Sequence, residues 1–388
     1  MQQESIVFTV FVVFTGAAVL ATLALFARQS LLVAYIALGV LLGPWGLSLV
    51  SDASLVRDTA EFGIVFLLFL LGLNLQPQEL WRMVRKTTQV TLLSSLVFAV
   101  VGYGIALGFG YTPLEALLIG GAMTFSSTII GLKLLPTTVL HHQRMGEVII
   151  SILLLQDLVA IVMLLLVEGG GEDLQWWQML RPLFGLPVLI LIAWLFERYV
   201  LMLLIRKFDR IPEYIFLMAI GWCLGMAELA VLLGLSQEIG AFIGGVVLAT
   251  SPIALFIAES LKPLRDFFLV LFFFSLGAGF DLTTVPQVVV PALLLAAAAL
   301  LLKPPVFRLL LRRTGEPDKR AYEVGFRLGQ LSEFSLLIAV LANDRQVIGE
   351  QASYLIQLAT LITFLVSSYV VVLRFPTPIA VSDSLRRD

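Results

Sequence analysis

One carboxylate stands in a stretch otherwise built for lipid or for the inside of a helical bundle. Asp157 lies in Leu153-Leu154-Leu155-Gln156-Asp157-Leu158-Val159-Ala160-Ile161. Glu147 opens this apolar run, and the helical rise carries Asp157 roughly 15 Å deep. A hydrocarbon core is about 30 Å thick, so the carboxylate falls near the bilayer midplane. A charge there costs on the order of 3 kcal/mol on insertion scales. Proton or cation handling is the chemistry that retains such a group. Gln156 adds a neutral amide that can donate or accept. It points about 100° around the helix from Asp157, so the two side chains need not meet one ion.

Two further apolar stretches carry polar interruptions near their middles. One holds Thr124-Phe125-Ser126-Ser127-Thr128, the other Gly329-Gln330-Leu331-Ser332-Glu333. Half-helix ends expose free amides and carbonyls, which suit an ion site. Counting inward from Glu323 puts Glu333 near the midplane too. Arg327 lies six residues before it. A buried Arg327–Glu333 ion pair supporting the break is the expectation. Lys303, in Leu300-Leu301-Leu302-Lys303-Pro304-Pro305, is the remaining deep base. It either reaches the interface by snorkelling or pairs with Asp157 in one transport state, displaced when a cation arrives. Glu61 and Glu228 lie near span ends and read as structural. His141 and His142 read as a solvated loop. No metal-ligand spacing, nucleotide cradle or nucleophile–base pair occurs.

The elements that position these groups are membrane helices. Residues are 59% hydrophobic and only 13% charged, against roughly 25% charged in soluble domains, and mean hydropathy is +0.99. The net charge of −2 gives no hint of nucleic acid, and the single Cys223 excludes a disulfide framework. The first apolar stretch reads as a retained helix rather than a cleaved signal. Thirteen apolar segments can be counted, at 6–26, 31–49, 59–75, 89–109, 114–135, 147–167, 183–205, 213–233, 239–255, 267–280, 286–311, 322–341 and 354–373. With the N-terminus outside, 19 of the 25 lysines and arginines fall in cytoplasmic loops. The positive-inside rule therefore places the N-terminus outside and the C-terminus in the cytoplasm, and an inner (cytoplasmic) membrane of bacterial type is the expected location.

The chain also repeats itself. Phe62–Leu75 and Phe268–Asp281 are both phenylalanine-rich spans ending in glycine and a polar stop. Gly39-Val40-Leu41-Leu42-Gly43 corresponds to Gly240-Ala241-Phe242-Ile243-Gly244-Gly245. The offset is seven spans, which inverts the second copy in the membrane. Inverted repeats with discontinuous helices are the architecture of secondary transporters. The same offset pairs the break at Thr124–Thr128 with that at Gly329–Glu333.

These residues resemble the monovalent cation:proton antiporter-2 family, and within it the Kef-type potassium/proton antiporters. The resemblance is carried by Gly43-Pro44-Trp45-Gly46-Leu47, Phe69-Leu70-Leu71-Gly72-Leu73, Ser126-Ser127-Thr128, Leu155-Gln156-Asp157, Gly240-Ala241-Phe242, and Gln330 with Glu333-Phe334. Gln156-Asp157 is the most telling, because sodium-selective relatives typically carry Asp-Asp or Asn-Asp there. The resemblance implies an all-α membrane fold of the sodium/proton-antiporter type, with two inverted six-helix repeats, a linker helix and crossed broken helices. It implies a homodimer with 1–75 and 213–281 as the dimerisation half, 89–167 and 286–373 as a mobile core, and 183–205 as linker. The segment 374–388 is similar to the start of a linker into a cytoplasmic nucleotide-binding regulatory domain. The chain is therefore expected to be the membrane part of something longer. Any nucleotide would bind in that further domain, and no resident cofactor is expected here. Two departures stand out. Residues 250–260 lack the acidic regulatory loop of glutathione-gated members, and Glu238 opens a span where a small or apolar residue is usual.

The function implied is secondary exchange of potassium for protons by an elevator motion. Asp157 binds cation and proton in turn. Gln156, Ser126, Ser127 and Thr128 stand around the ion, and Lys303 is a coupled charge. Thr124, Gln330, Ser332, Glu333 and Arg327 support the breaks. A sodium/proton antiporter, a gated cation channel and a proton-coupled solute symporter stay open as alternatives on the residues alone.

Overall fold

The computed structural model of the chain describes residues 6–27, 29–50, 54–74, 77–133, 144–168, 176–208, 211–251, 253–280 and 283–377. His141, His142 and the tail 378–388 lie outside the described residues, as does the side chain of Glu61. Among the described residues the architecture is all-helical, as the apolar periodicity and the resemblance imply. In chain order the helices are α1 (Ile6–Phe26), α2 (Leu31–Leu42), α3 (Ser54–Asn74), α4 (Pro77–Gly108), α5 (Pro113–Thr124), α6 (Thr128–Lys133), α7 (Arg144–Glu168) and α8 (Trp176–Phe196). A π turn, Glu197–Leu201, joins α8 to α9 (Met202–Phe208). There follow α10 (Pro212–Leu232), α11 (Gln237–Leu248), α12 (Ala254–Ala278), α13 (Val285–Arg313), α14 (Asp318–Arg327), α15 (Glu333–Asp344) and α16 (Glu350–Arg374). Seven helices among the described residues are long and apolar enough to cross a membrane, and α2, α5 and α11 are shorter apolar helices.

The chain divides into two compact units. The first comprises Met1–Ala18, Tyr35–Leu80 and Asp173–Gly279; the second comprises Val19–Ala34, Trp81–Glu172 and Phe280–Asp388. The segment 183–205 falls in the first unit, and 19–34 falls in the second.

Glycine sets the packing of the first unit. A Cβ on Gly39 of α2 would overlap the carbonyl of Phe274 on α12, and one on Gly277 would overlap the carbonyl of Ile36. The same reciprocal approach recurs between α3 and α11. There a Cβ on Gly72 would overlap the carbonyl of Phe242, and one on Gly245 that of Phe69. Without a hydrophobic drive between helices in lipid, such backbone contact is what holds them. The two crossings involve the very glycines whose spacing repeats in the sequence. A buried cluster that includes Phe69, Leu73, Cys223, Met226 and Leu261 fills the space beside them.

The second unit holds both broken helices. Pro113 begins α5, where Thr112 and Glu115 form a reciprocal cap: the Glu115 amide donates to the Thr112 hydroxyl, and the Thr112 amide donates back to the carboxylate. At its far end Phe125 is extended, with φ −78° and ψ 147°. The chain resumes helix at Thr128, with the Ser127 hydroxyl accepting from the Ile130 amide at 3.1 Å. The break between α14 and α15 ends at Ser332, also extended, whose hydroxyl accepts from the Phe334 amide at 3.1 Å. A serine at each restart supplies the acceptor that an opening helix lacks.

Candidate functional site

Asp157 is 1% exposed on α7. Its Oδ2 accepts from the Thr128 hydroxyl at 3.3 Å, at the first residue of α6. Glu333, the first residue of α15 and 6% exposed, is close enough for the two acidic charges to repel. One carboxylate thus stands at the restart of the first broken helix, and a second opens the restart of the other.

Gln156 bridges the first break. Its Oε1 accepts from the Ser126 amide at 3.0 Å, and its Nε2 donates to the Thr124 carbonyl at 3.0 Å. One side-chain amide satisfies a donor and an acceptor that the break leaves without helical partners. Thr124 contributes its carbonyl to this staple, since its own hydroxyl donates to Gly121 at 2.7 Å. The Ser126 hydroxyl donates across to the Leu328 carbonyl at 2.9 Å. In this conformation the hydroxyls of Ser126 and Ser127 hold backbone, while that of Thr128 faces the carboxylate.

Lys303 is fully buried and does not snorkel. Its ammonium donates to the Phe125 carbonyl at 2.6 Å, the Gln330 carbonyl at 2.9 Å and the Ser126 hydroxyl at 3.3 Å. An ammonium has three donors, and these three acceptors match them. The expected ion pair with Asp157 is therefore replaced here by a clamp on both breaks. The ammonium also lies 5.5 Å from the centre of the Phe98 ring, which packs edge-on to Phe307.

Arg327 corrects a second expectation. Its guanidinium pairs with Glu323 on its own half-helix, at 2.7 Å, and donates to the Pro376 carbonyl at 2.8 Å. Glu323 sits one turn earlier, where an (i, i+4) pair forms without crossing the break.

Gln330 turns its Oε1 to the Ser367 hydroxyl at 2.9 Å and its Nε2 toward the Ser127 carbonyl at 3.5 Å. Three supports were missed from sequence. Thr363 on α16 accepts from the Leu331 amide at 3.0 Å, Ser367 holds Gln330, and Ser335 donates to the Ala122 carbonyl of α5 at 2.7 Å. A signal existed: Ser353, Thr360, Thr363 and Ser367 recur at helical spacing along α16, and all are buried. Gln156 and Thr363 do equivalent work, each on the helix that follows a broken one.

The transmembrane sodium/hydrogen exchanger family matches residues 10–373. The chain belongs to this family. The exchanger is accordingly a multi-pass membrane antiporter, a secondary transporter rather than an enzyme. It is 29% identical over 347 residues to an iron transporter, MagA, of Paramagnetospirillum magneticum, covering 88% of this chain and 79% of that one. It is also 29% identical over 353 residues to K(+) efflux antiporter 5 of Arabidopsis thaliana, again over 88% of this chain. The exchanger spans 61% of the length of that antiporter. The likeness to a potassium efflux antiporter agrees with the Kef-like motifs around Gln156-Asp157. Among solved structures, the sodium proton antiporter MjNhaP1 of Methanocaldococcus jannaschii at pH 8 superposes with a TM-score of 0.69 at 16% identity, covering 94% of this chain and 95% of that one. That likeness establishes the sodium/proton-antiporter fold.

Proposed function

We propose that the exchanger trades potassium for protons at Asp157. The observation that carries this reading is the buried Asp157 carboxylate facing Thr128 at the restart of α6. Protonated, the acid is neutral and tolerates its surroundings. Ionised, it needs a cation, and the Thr128 hydroxyl offers that cation a further oxygen. Potassium asks for a loose shell that carbonyls and hydroxyls can supply. The Arabidopsis relative, a K(+) efflux antiporter, supports potassium; the sodium/hydrogen exchanger family favours sodium, and the relative from Paramagnetospirillum magneticum is an iron transporter. Exchange is favoured over a channel or a symporter by family membership.

The unit bearing both breaks would carry the ion as an elevator, and the unit held by the glycine crossings would form a homodimer. The inner membrane, an outside N-terminus and a cytoplasmic nucleotide-binding domain beyond this chain complete the proposal. With Asp157 as the one group that loads and unloads, the exchange is electroneutral, one cation for one proton; cycling of the neighbouring Glu333 as well would make it voltage-dependent.

The test is proteoliposomes with an imposed pH gradient, to which potassium, sodium, lithium or ferrous ion is added in turn. Potassium should dissipate the gradient at the lowest concentration, at a rate that an imposed membrane potential leaves unchanged. Dissipation by sodium or ferrous ion alone would refute potassium selectivity, and a voltage-dependent rate would refute the single-carrier stoichiometry.

A further inference from the structure

A pocket of about 580 Å³ with a mixed polar and apolar lining opens on the first unit. It is lined by Trp194, Glu197, Arg198, Met202, Leu203, Arg206, Thr250 and Ser251. The π turn contributes Glu197 and Arg198 to it. An extra residue in the turn shifts the register of the helix, and such bulges concentrate at functional sites. Here the turn directs Glu197 inward, 8% exposed, while Arg198 stays exposed beside it.

Glu197 makes no hydrogen bond or close ion pair among the described residues. The neighbouring Arg198 guanidinium is instead turned over the Trp194 ring, 5.3 Å from its centre. Because Glu197 lines the pocket, its carboxylate keeps acceptor sites for a donor that a bound molecule would bring. Arg206, in the last turn of α9, supplies positive charge on the same wall. The Ser251 hydroxyl accepts from the Ile253 amide at 3.4 Å, which leaves its proton to donate. Leu203 in the lining and Tyr199 in the π turn are 64% and 65% exposed, an apolar surface of the kind that lipid covers in a membrane helix. Both α9 and α11 end here, which is headgroup depth for membrane helices.

We propose that this pocket binds the headgroup of an ethanolamine phospholipid. A purely anionic head would meet Glu197, and a purely cationic one would meet two arginines. A head that carries both charges satisfies the site: its primary ammonium donates to Glu197, and its phosphate accepts from Arg206, Arg198 and Ser251. A choline head carries the same charges but no N–H, so it leaves Glu197 without a donor. The acyl chains run along Leu203 and Met202.

The experiment measures the thermal midpoint of the delipidated exchanger in detergent with added phosphatidylethanolamine, phosphatidylcholine or phosphatidylglycerol. Phosphatidylethanolamine should raise the midpoint most. Glu197→Gln should abolish that preference, and Arg206→Gln should weaken the effect of all three lipids. Soluble O-phosphoethanolamine at the same concentration should have little effect. An equal shift from it would assign the site to a free zwitterion and overturn the lipid reading. Equal shifts from the three lipids, or an ethanolamine preference surviving in Glu197→Gln, would also overturn it. Native mass spectrometry of the parent protein keeps the test independent of variant folding. Ethanolamine lipid should be retained preferentially from a mixed membrane, and retention without headgroup preference contradicts the site.

Discussion

The Lys303 ammonium lies 2.6 Å from the carbonyl oxygen of Phe125, at the open end of α5. The same group reaches the Gln330 carbonyl at 2.9 Å in the other break. One cation thus ties together two helix ends that lie far apart in sequence. Carbonyls at helix C-termini carry partial negative charge, so a buried ammonium is well matched to both.

Replacing Lys303 with Met removes the clamp and leaves both carbonyls buried without this donor. Each such loss costs about 1–3 kcal/mol. The thermal midpoint of purified protein should fall clearly, while the pH profile of residual exchange keeps its position. An ion pair with Asp157 gives the opposite pattern. Removing a positive neighbour favours the protonated acid, so the profile would move to higher pH. That shift with an unchanged midpoint would count against the clamp.

Gln156→Leu should abolish exchange although Asp157 is intact, because the Ser126 amide and Thr124 carbonyl lose their partner. The same loss should destabilise the protein by about 1–3 kcal/mol for each group left unsatisfied. Gln156→Glu keeps the acceptor for Ser126 and loses the donor to Thr124, and should be intermediate in thermal midpoint. Wild-type exchange in Gln156→Leu would show that the staple is dispensable.

Much of this was legible beforehand. Asp157, both breaks and the repeated glycines stood out because lipid tolerates so few polar or backbone-exposing residues that each exception carries information. The partners did not stand out. Lys303 lies in a span whose sequence is compatible with snorkelling, and only the meeting of Phe125 and Gln330 in space shows where its donors go. Arg327 was assigned to Glu333 by proximity to the break, whereas the helical (i, i+4) geometry favoured Glu323. Hydroxyls such as those of Thr363 and Ser367 commonly bond back to their own helix in membranes, so their types alone do not show a role at the break. Thr363 does bond the Thr360 carbonyl and still accepts from Leu331.

The glycine crossings give an independent check on the packing of the first unit. Gly39→Val and Gly245→Val place side-chain carbon where a carbonyl already sits, and should destabilise by at least about 1–3 kcal/mol, the usual cost of overpacking. Gly225→Ala on α10 meets open space and should be neutral or slightly stabilising. Thermal midpoints of the three variants decide it. Equal behaviour at all three positions would contradict the close approach.

The most direct test of the account is cation-driven proton movement by Asp157→Asn in proteoliposomes, beside the parent protein. The side chain keeps its shape and its contact with Thr128 but cannot hold a proton or a charge. The account predicts a folded variant with a thermal midpoint near the parent's and no potassium-dependent dissipation of the pH gradient. Exchange near the parent rate would mean that cation and proton are carried elsewhere, and the assignment of Asp157 would fall.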